Sequence, residues 1–521
     1  MSTNIDLLGD RHFRTDPQGV LRPKRDGRCG RVLLTVAPFL ADTPAGQHLA
    51  WMLTNQLARQ FGVVTKITLH IPEAALIENT AAFGAKTSLR DTLAECVRLV
   101  AREHVEVQTG LGSADHFEVH IAVGAARNLV SAERAWCLYA DGWRWYVGNG
   151  THIPTNRPTS NLSFGPYMAA SFAAGEAFKH LRGMLPNKGV FITECLGSAW
   201  TMSLGTTWND LMDGPGNEAL PALPHFYFAG AGAVAQAAAL TLGSSRLRGS
   251  ATVIDHDTLD LTNGNRYVLS PMDDDQSPKA NIVSAYLTKQ GLLGRPAPVK
   301  WSTYVGAQGG MTGSESIRRL EQRYRFPTVL SCVDKNGPRH EIQSLLPEII
   351  IGGSTDGLVA RVSTFYMAHD AACLKCFNPI EDRNAIIEKK LRLLVTMTAD
   401  EREAWVVEHS LPVADIARLL APSVCGQLSE SDLQRFAEGP PEMSVGFVSV
   451  TAGVLLSAQL VRLVQRGVDD ATQNGHTVIT TFAQASMRHL RSGPDAQCNC
   501  APELRSRWHR LWGAPEPSAG Y

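Results

Sequence analysis

Short apolar runs alternate with stretches of helical period along most of the chain, the pattern of strands feeding helices. In the first half, "RVLLTVAPFL" (31–40) predicts a strand, "TPAGQHLAWMLTNQLARQFG" a helix, "VVTKITLHIP" the next strand and "HFEVHIAVG" a third. After the linker-like "DGPGNEALPALP" (213–224) the rhythm restarts. "HFYFAG" predicts a strand, "AVAQAAALTLG" a helix stopped at Gly243, and "SATVIDHD" a strand. "KANIVSAYLTKQG" predicts a further helix, with "TVLSCVD" and "IIIGGS" as strands after it. The expectation is an α/β protein built on parallel sheets covered by helices, divided at 1–215 and 216–521.

An internal echo supports duplication. "SFGPYMAASFAAGEAFKHLRG" (163–183) resembles "SVGFVSVTAGVLLSAQLVRLVQRG" (444–467): Ser-x-Gly, a small-residue helix, a basic end and Gly. The alternative is chance likeness between two alanine-rich helices. At about 380–440 the alternation breaks into charged helical patterns, "IEDRNAIIEKKLRLLV" and "TADEREAWVVEHSL", with Thr398 and Glu401 at capping-box spacing. This predicts a helical insertion over the α/β core.

Composition narrows the classes. A chain of 521 residues has room for two or more cores. A formal charge of −1 argues against a polyanion surface, so nucleic acid is not the expected partner. The polar N-terminus lacks a signal-peptide core, and the alanine-rich stretches read as amphipathic or too short to span a bilayer. Ten cysteines without regular spacing predict a reduced, cytoplasmic protein. Of these, Cys332 inside "VLSCVD" reads as core.

The chemistry concentrates after residue 225. In "GAGAVA", Gly230 and Gly232 would let backbone approach a nucleotide at a helix N-terminus, and Asp255 ends the next strand where an acid takes ribose hydroxyls. A dehydrogenase fits that much, and a tight turn without ligand remains the plainer reading. The continuation differs: Asn263 and Arg266 follow Asp255 by eight and eleven residues, Lys279 opens the next helix, and Asp334 sits at the tip of "TVLSCVD". Two cations, an amide and a second carboxylate suit triphosphate chemistry, with the cations offsetting phosphate charge and a carboxylate holding Mg²⁺.

The pattern D-x-D-(x5)-N-x-x-R, then Lys thirteen residues on, then "VDKNGPR", resembles the adenylation domain of ubiquitin-type E1 activating enzymes and their sulfur-carrier relatives, the ThiF, MoeB and HesA superfamily, from about 222 to 500. The resemblance implies two Rossmann-like lobes, the N-terminal one inactive. It implies that Gly230, Gly232 and Asp255 bind ATP, with Asp255 on the ribose. Asn263, Arg266 and Lys279 would contact phosphates, and Asp334 would hold Mg²⁺. The family's Asn-Leu-Asn-Arg-Gln is here Asn263-Gly264-Asn265-Arg266-Tyr267, which removes one polar contact and one packed apolar residue.

The cysteines extend the picture. Cys373 and Cys376 in "CLKC" and Cys498 and Cys500 in "QCNC" could close a structural Cys₄ zinc site, as two CxxC pairs do in the resembling family; reduced surface turns are the alternative. Cys425, in "LLAPSVCGQLSESD", lies where E1-like enzymes carry the cysteine of their crossover loop, before a helix start that Ser431 and Gln434 would cap. The implied activity is adenylation of the C-terminal carboxylate of a ubiquitin-like protein, thioester formation on Cys425, and transfer to an E2-like partner. Arg266, Lys279, Asp334 and Cys425 would carry the catalysis. The layout resembles E1 proteins of bacterial ubiquitin-like conjugation operons linked to antiphage defence. A sulfur-carrier adenylyltransferase and a non-catalytic nucleotide-binding subunit are the alternative readings, and a homodimer is left open.

Overall fold

The same strand order occurs twice. A computed structural model describes residues 30–112, 116–125, 131–183, 190–274, 276–309, 325–369, 371–380, 382–408, 437, 445–467, 475–480, 486–496, 498 and 500–513. Its first sheet comprises β1 (Arg31–Val36), β2 (Lys66–His70), β3 (Glu106–Thr109), β4 (Phe117–Val123), β5 (Ala132–Asp141), β6 (Arg144–Gly148), β7 (Glu194–Ser198) and β8 (Ser203–Gly205), in the order β3-β2-β1-β4-β5-β6-β7-β8. The second comprises β9 (Leu223–Ala229), β10 (Gly249–Ile254), β11 (Leu292–Ala297), β12 (Thr328–Ser331), β13 (Ile349–Asp356), β14 (Val359–Tyr366), β15 (Gly475–Thr480) and β16 (Ser486–Arg491), in the order β11-β10-β9-β12-β13-β14-β15-β16.

Each sheet is parallel only in part, which corrects the expectation of parallel sheets. β1 to β5 run parallel, and β5 to β8 pair antiparallel. The second sheet changes at the matching place, between β13 and β14. The cause is a two-residue hairpin. Asp141 pairs with Arg144 around Gly142 at φ +63°, and Asp356 pairs with Val359 around Gly357 at φ +55°. Asp-Gly at such a turn satisfies the left-handed backbone that a tight hairpin needs. The signal was present in "ADGWR" and "TDGLV".

The helices follow the same repeat. α1 (Pro44–Ala58), α2 (Leu89–Ala101) and α3 (Phe164–Arg182) belong to the first lobe. The second holds α4 (Ala233–Ser244), α5 (Lys279–Lys289), α6 (Trp301–Gly309), α7 (Asn336–Ser344), α8 (Arg383–Thr396), α9 (Ala399–Glu408), α10 (Gly446–Arg466) and α11 (Arg505–Trp512). The charged patterns near 380–408 are α8 and α9. The capping box of α9 forms, with the Thr398 amide donating to Glu401 at 2.8 Å and the Glu401 amide to the Thr398 hydroxyl at 3.3 Å. Cys425, Ser431 and Gln434 lie outside the described residues.

The echoing helices α3 and α10 hold equivalent places, each between the sixth and seventh strands of its lobe, and they pack on each other. α10 also corrects the membrane reading. An 18-residue window of this 21-residue helix has mean hydropathy 1.8, long and apolar enough to cross a bilayer, but 94% of that window is buried within the protein. It lies against α4, α3, β13 and β14. Contact with α4 is close at Gly453, where a Cβ would come within 2.5 Å of the Ala237 Cβ and 2.7 Å of the Val234 carbonyl.

The lobes differ at the end of their first strand. In the first, Ala37 and a turn of helix (Pro38–Ala41) occupy the crevice: the Ala37 amide donates to the Val123 carbonyl at 2.8 Å. A Cβ on Gly124 would sit 2.7 Å from the Ala37 Cβ and 3.2 Å from Leu40 Cδ1. "APFLA" therefore fills with side chains the space that glycines keep open in the second lobe.

Both cores carry buried imidazoles. Burial, aided by Arg246, Arg361 and His70 respectively, holds His48, His476 and His120 down at about 4. In the unfolded chain these groups titrate near 6.5. The unfolded state then binds more protons between the two values, so stability falls as pH drops from about 6.5 to 4 and levels off below. Histidine side-chain NMR should show three imidazoles titrating near 4, and urea midpoints should fall across that window. Titration of His48, His120 and His476 themselves near 6.5 would overturn the assignment.

Candidate functional site

β9 lies between β10, which is followed by its own crossover, and β12, which continues the sheet in the other direction. The carboxyl ends of such neighbours open a crevice where α/β sheets bind ligands. Gly230 turns out of β9 at φ +96°, and a Cβ there would lie 2.9 Å from the Cys332 carbonyl at the end of β12. Gly232 precedes α4, whose first turn has no side-chain cap. Among the described residues, a Cβ on Gly232 would meet only the Tyr267 hydroxyl, at 3.5 Å. The crevice therefore leaves backbone amides accessible at a helix N-terminus, as an anionic ligand requires.

One carboxylate braces this turn. Asp255, just past β10, accepts the Ala231 amide on Oδ2 at 2.6 Å and the Asp257 amide on Oδ1 at 2.8 Å. Each oxygen keeps lone-pair capacity for a diol. Asp257, which the sequence reading passed over, links the turn to Lys279. Its carbonyl accepts the Lys279 amide at 3.0 Å, and its carboxylate accepts Lys279 Nζ at 2.9 Å. Burial opposes charge on both groups, yet their mutual attraction prevails. The Asp257 carboxyl is held below its ordinary value by Lys279, His256 and Lys335, and the Lys279 ammonium is held above its own by Tyr267, Asp257 and Asp255. Both groups stay charged at neutral pH.

Tyr267 joins the two expected cations. Arg266 Cζ lies 5.2 Å and Lys279 Nζ 5.6 Å from its ring centroid, within cation–π range. The residue whose replacement seemed to cost a polar contact thus supplies a buried aromatic face under both charges, 5% exposed. Arg266 Nη1 also donates to the Thr262 carbonyl at 3.1 Å and to Asn265 Oδ1 at 2.7 Å.

Asn263 stands apart from the phosphate contact expected of it. It is 7% exposed, and its Oδ1 accepts the Asp260 amide at 3.4 Å in a capping box on the one-turn helix Leu261–Asn263. Its side chain shapes the loop. Gly264, expected to loosen the loop, is tied through its carbonyl, which accepts Arg59 Nη1 at 2.6 Å.

Asp334 lies at the same edge, three residues past β12 on the connection to α7, and is exposed. Its loop is pinned from behind. Arg339 donates to the Val333 carbonyl at 3.2 Å and through Nη1 to Asn336 and Asn378 Oδ1, both at 2.8 Å; Asn336 Nδ2 donates to the Pro379 carbonyl at 2.9 Å. The structure therefore brings Gly230, Gly232, Asp255, Arg266 and Lys279 to one crevice mouth, sets Asp334 on its far rim, and turns Asn263 into the loop.

Asn378 and Pro379 follow the first cysteine pair. Cys373 Sγ lies 3.6 Å from Cys376 and 3.9 Å from Cys498, Cys376 lies 3.2 Å from Cys500, and all four sulfurs fall within 4.8 Å of one another. These separations exceed a disulfide bond. Four thiolates on a tetrahedral zinc with bonds of about 2.3 Å stand roughly 3.8 Å apart, so the residues fit that ion. The short Cys-x-Cys spacing does not prevent it. α11 secures the knuckle: Arg505 donates to the carbonyls of Met367 at 2.8 Å and Ala371 at 2.6 Å, and Trp508 Nε1 to that of Pro347 at 3.0 Å.

No family model matches the chain. It is 23% identical over 377 residues to "Uncharacterized protein y4jF" of Sinorhizobium fredii (strain NBRC 101917 / NGR234), covering 66% of this chain and 67% of that one. Among solved structures, E. coli MccB with ATP is 12% identical with a TM-score of 0.35, over 70% of this chain and 97% of that chain. E. coli MccB with AMPCPP and MccA is 12% identical with a TM-score of 0.34, over 55% and 68%. PaaA is 14% identical with a TM-score of 0.31, over 53% and 66%. Scores of this size leave function to be argued from the site itself.

Gly230→Ala should destabilise the fold by about 2 kcal/mol, because the new methyl meets backbone and the residue keeps a positive φ. Urea unfolding measures it; a change below about 0.5 kcal/mol would remove the close approach from the account of this turn.

Proposed function

We propose that this chain is an E1-type activating enzyme. It uses Mg-ATP to adenylate the C-terminal carboxylate of a ubiquitin-like protein, forms a thioester on Cys425, and passes the acyl group to an E2-like protein. The observation that carries the reading is the crevice mouth: Arg266 and Lys279 share the Tyr267 ring beside an uncapped helix N-terminus, with Asp255 on one side and Asp334 on the other.

The residues have separable tasks. The amides of Gly232 and the first turn of α4 approach the phosphates, those of Gly230 and Ala231 being taken by the Ile254 carbonyl and Asp255, and Asp255 takes the ribose. Lys279, here on Asp257, would turn its ammonium to the triphosphate. Arg266 offsets the charge that builds on the α-phosphate and departing pyrophosphate. Mg²⁺, held by Asp334, would screen the phosphate oxygens. The substrate carboxylate oxygen attacks the α-phosphorus as pyrophosphate leaves; a Cys425 thiolate then attacks the acyl carbon and AMP leaves. The first lobe, 1–215 on this reading, has a filled crevice and binds no nucleotide, and 216–521 carries the chemistry. Zinc on Cys373, Cys376, Cys498 and Cys500 would staple the loop behind Asp334 without entering turnover.

A subunit that binds nucleotide without turnover is the second reading, favoured by the inward side chain of Asn263. Pyrophosphate exchange into ATP, dependent on a ubiquitin-like carrier, separates the two. Asp334→Ala should cut that exchange about a hundredfold while leaving the unfolding temperature unchanged. Mg-ATP binding with no exchange under any carrier would favour the second reading, and exchange at the wild-type rate in the variant would remove Asp334 from the metal. The purified protein should hold one zinc per chain by elemental analysis, and Cys376→Ser should lose it with a lower unfolding temperature; metal-free protein of unchanged stability would exclude the staple.

A further inference from the structure

Arg59 follows the last turn of α1 in the first lobe, yet its guanidinium is spent on the second. Nη1 donates to the Gly264 carbonyl at 2.6 Å, Nη2 to the Ser270 carbonyl at 2.9 Å, and Nε to Asn55 Oδ1 at 2.7 Å. Asn55 Nδ2 in turn donates to the Val268 carbonyl at 2.9 Å. Asn55 of α1 and Arg59 just past its end therefore hold three carbonyls of the loop that presents Arg266. From the other side, Gln236 of α4 accepts the Leu269 amide at 3.2 Å.

The cost of this arrangement is informative. Arg59 is 1% exposed, and its partners are carbonyls and an amide, with no carboxylate among the described residues. Burial pulls its pKa down to about 10, and Cys96, which also acts on it, is a buried thiol pushed up to about 12 and hence neutral. A buried charge without an acid partner is poor packing, and an apolar residue of similar volume would stabilise an ordinary core position better. What a leucine could not do is fix two carbonyls six residues apart. A planar fork with donors in set directions can.

We propose that Arg59 is a positioning residue for the nucleotide site, through which the first lobe holds the 263–270 loop in the register that aims Arg266 and Tyr267 at the crevice. The first lobe, its own crevice filled, thereby acts on its neighbour's chemistry. The inference rests on the reading of the crevice as an ATP site, but the clamp itself can be tested without ATP.

Two measurements on the full-length chain separate these parts, using Arg59→Met, which removes the fork, and Arg59→Lys, which restores one donor and keeps the protein folded if the first variant fails. Hydrogen–deuterium exchange should show faster exchange confined to amides 263–270 in Arg59→Met and partial protection in Arg59→Lys. Mg-ATP titration should show about tenfold weaker binding in Arg59→Met and partial recovery in Arg59→Lys. Loop protection and Mg-ATP affinity equal to wild type in both variants, even with a lowered unfolding temperature, would overturn the proposal and leave Arg59 structural. A wild-type protein that fails to bind Mg-ATP would overturn the nucleotide reading, while exchange in the loop still decides whether the clamp exists.

Discussion

The site is ordered by one chain of hydrogen bonds that starts at a carboxylate. Asp255 takes the amides of Ala231 and Asp257, and Asp257 takes both the amide and the ammonium of Lys279. Hydrogen bonds to an ionised acceptor are stronger than neutral ones and are short here. They fix the glycine turn, the end of β10 and the start of α5 as one unit. Without that side chain, three separate segments would each have to find their place. The Tyr267 face, the helix N-terminus and the loop held by Arg59 all meet at that unit.

Duplication explains the architecture, and divergence explains the chemistry. Both lobes follow one strand order, both reverse at an Asp-Gly hairpin, and their long helices α3 and α10 bury each other. Such burial lets a 21-residue apolar helix remain inside a globular fold. In one lobe Ala37 and Leu40 close the switch-point crevice, whereas in the other Gly230 and Gly232 keep it open. A few larger side chains fill this end of the first lobe while its strand order stays that of the second.

Much of this was legible in the residues. The strand–helix rhythm located β1, β2, β4, β9, β10, β12 and β13, and it put Asp255 at a strand end, Arg266 in a loop and Lys279 at a helix start, where the structure has them, because a turn and a helix start impose fixed distances along the chain. The capping box at Thr398 was equally local. What escaped notice depends on contacts far apart in sequence. Arg59 reaches Gly264 across 205 positions, and nothing near it in the chain points there. Asp257 was visible in D-x-D but its partner was not. The antiparallel halves of the sheets are signalled only by the Asp-Gly pairs at 141–142 and 356–357, a two-residue cue set against a long alternation of strands and helices.

The knuckle of four cysteines sits behind Asp334, and α11 braces it from a position 161 residues beyond Pro347. During translation the glycine turn, the arginine loop and the lysine leave the ribosome long before Cys498, Cys500 and Trp508 exist. The loop that carries Asp334 thus gains its brace later than Arg266 and Lys279 are made. Strands β15 and β16 end just ahead of Cys498, so the last strands of the second sheet and the brace behind Asp334 are completed together at the end of synthesis.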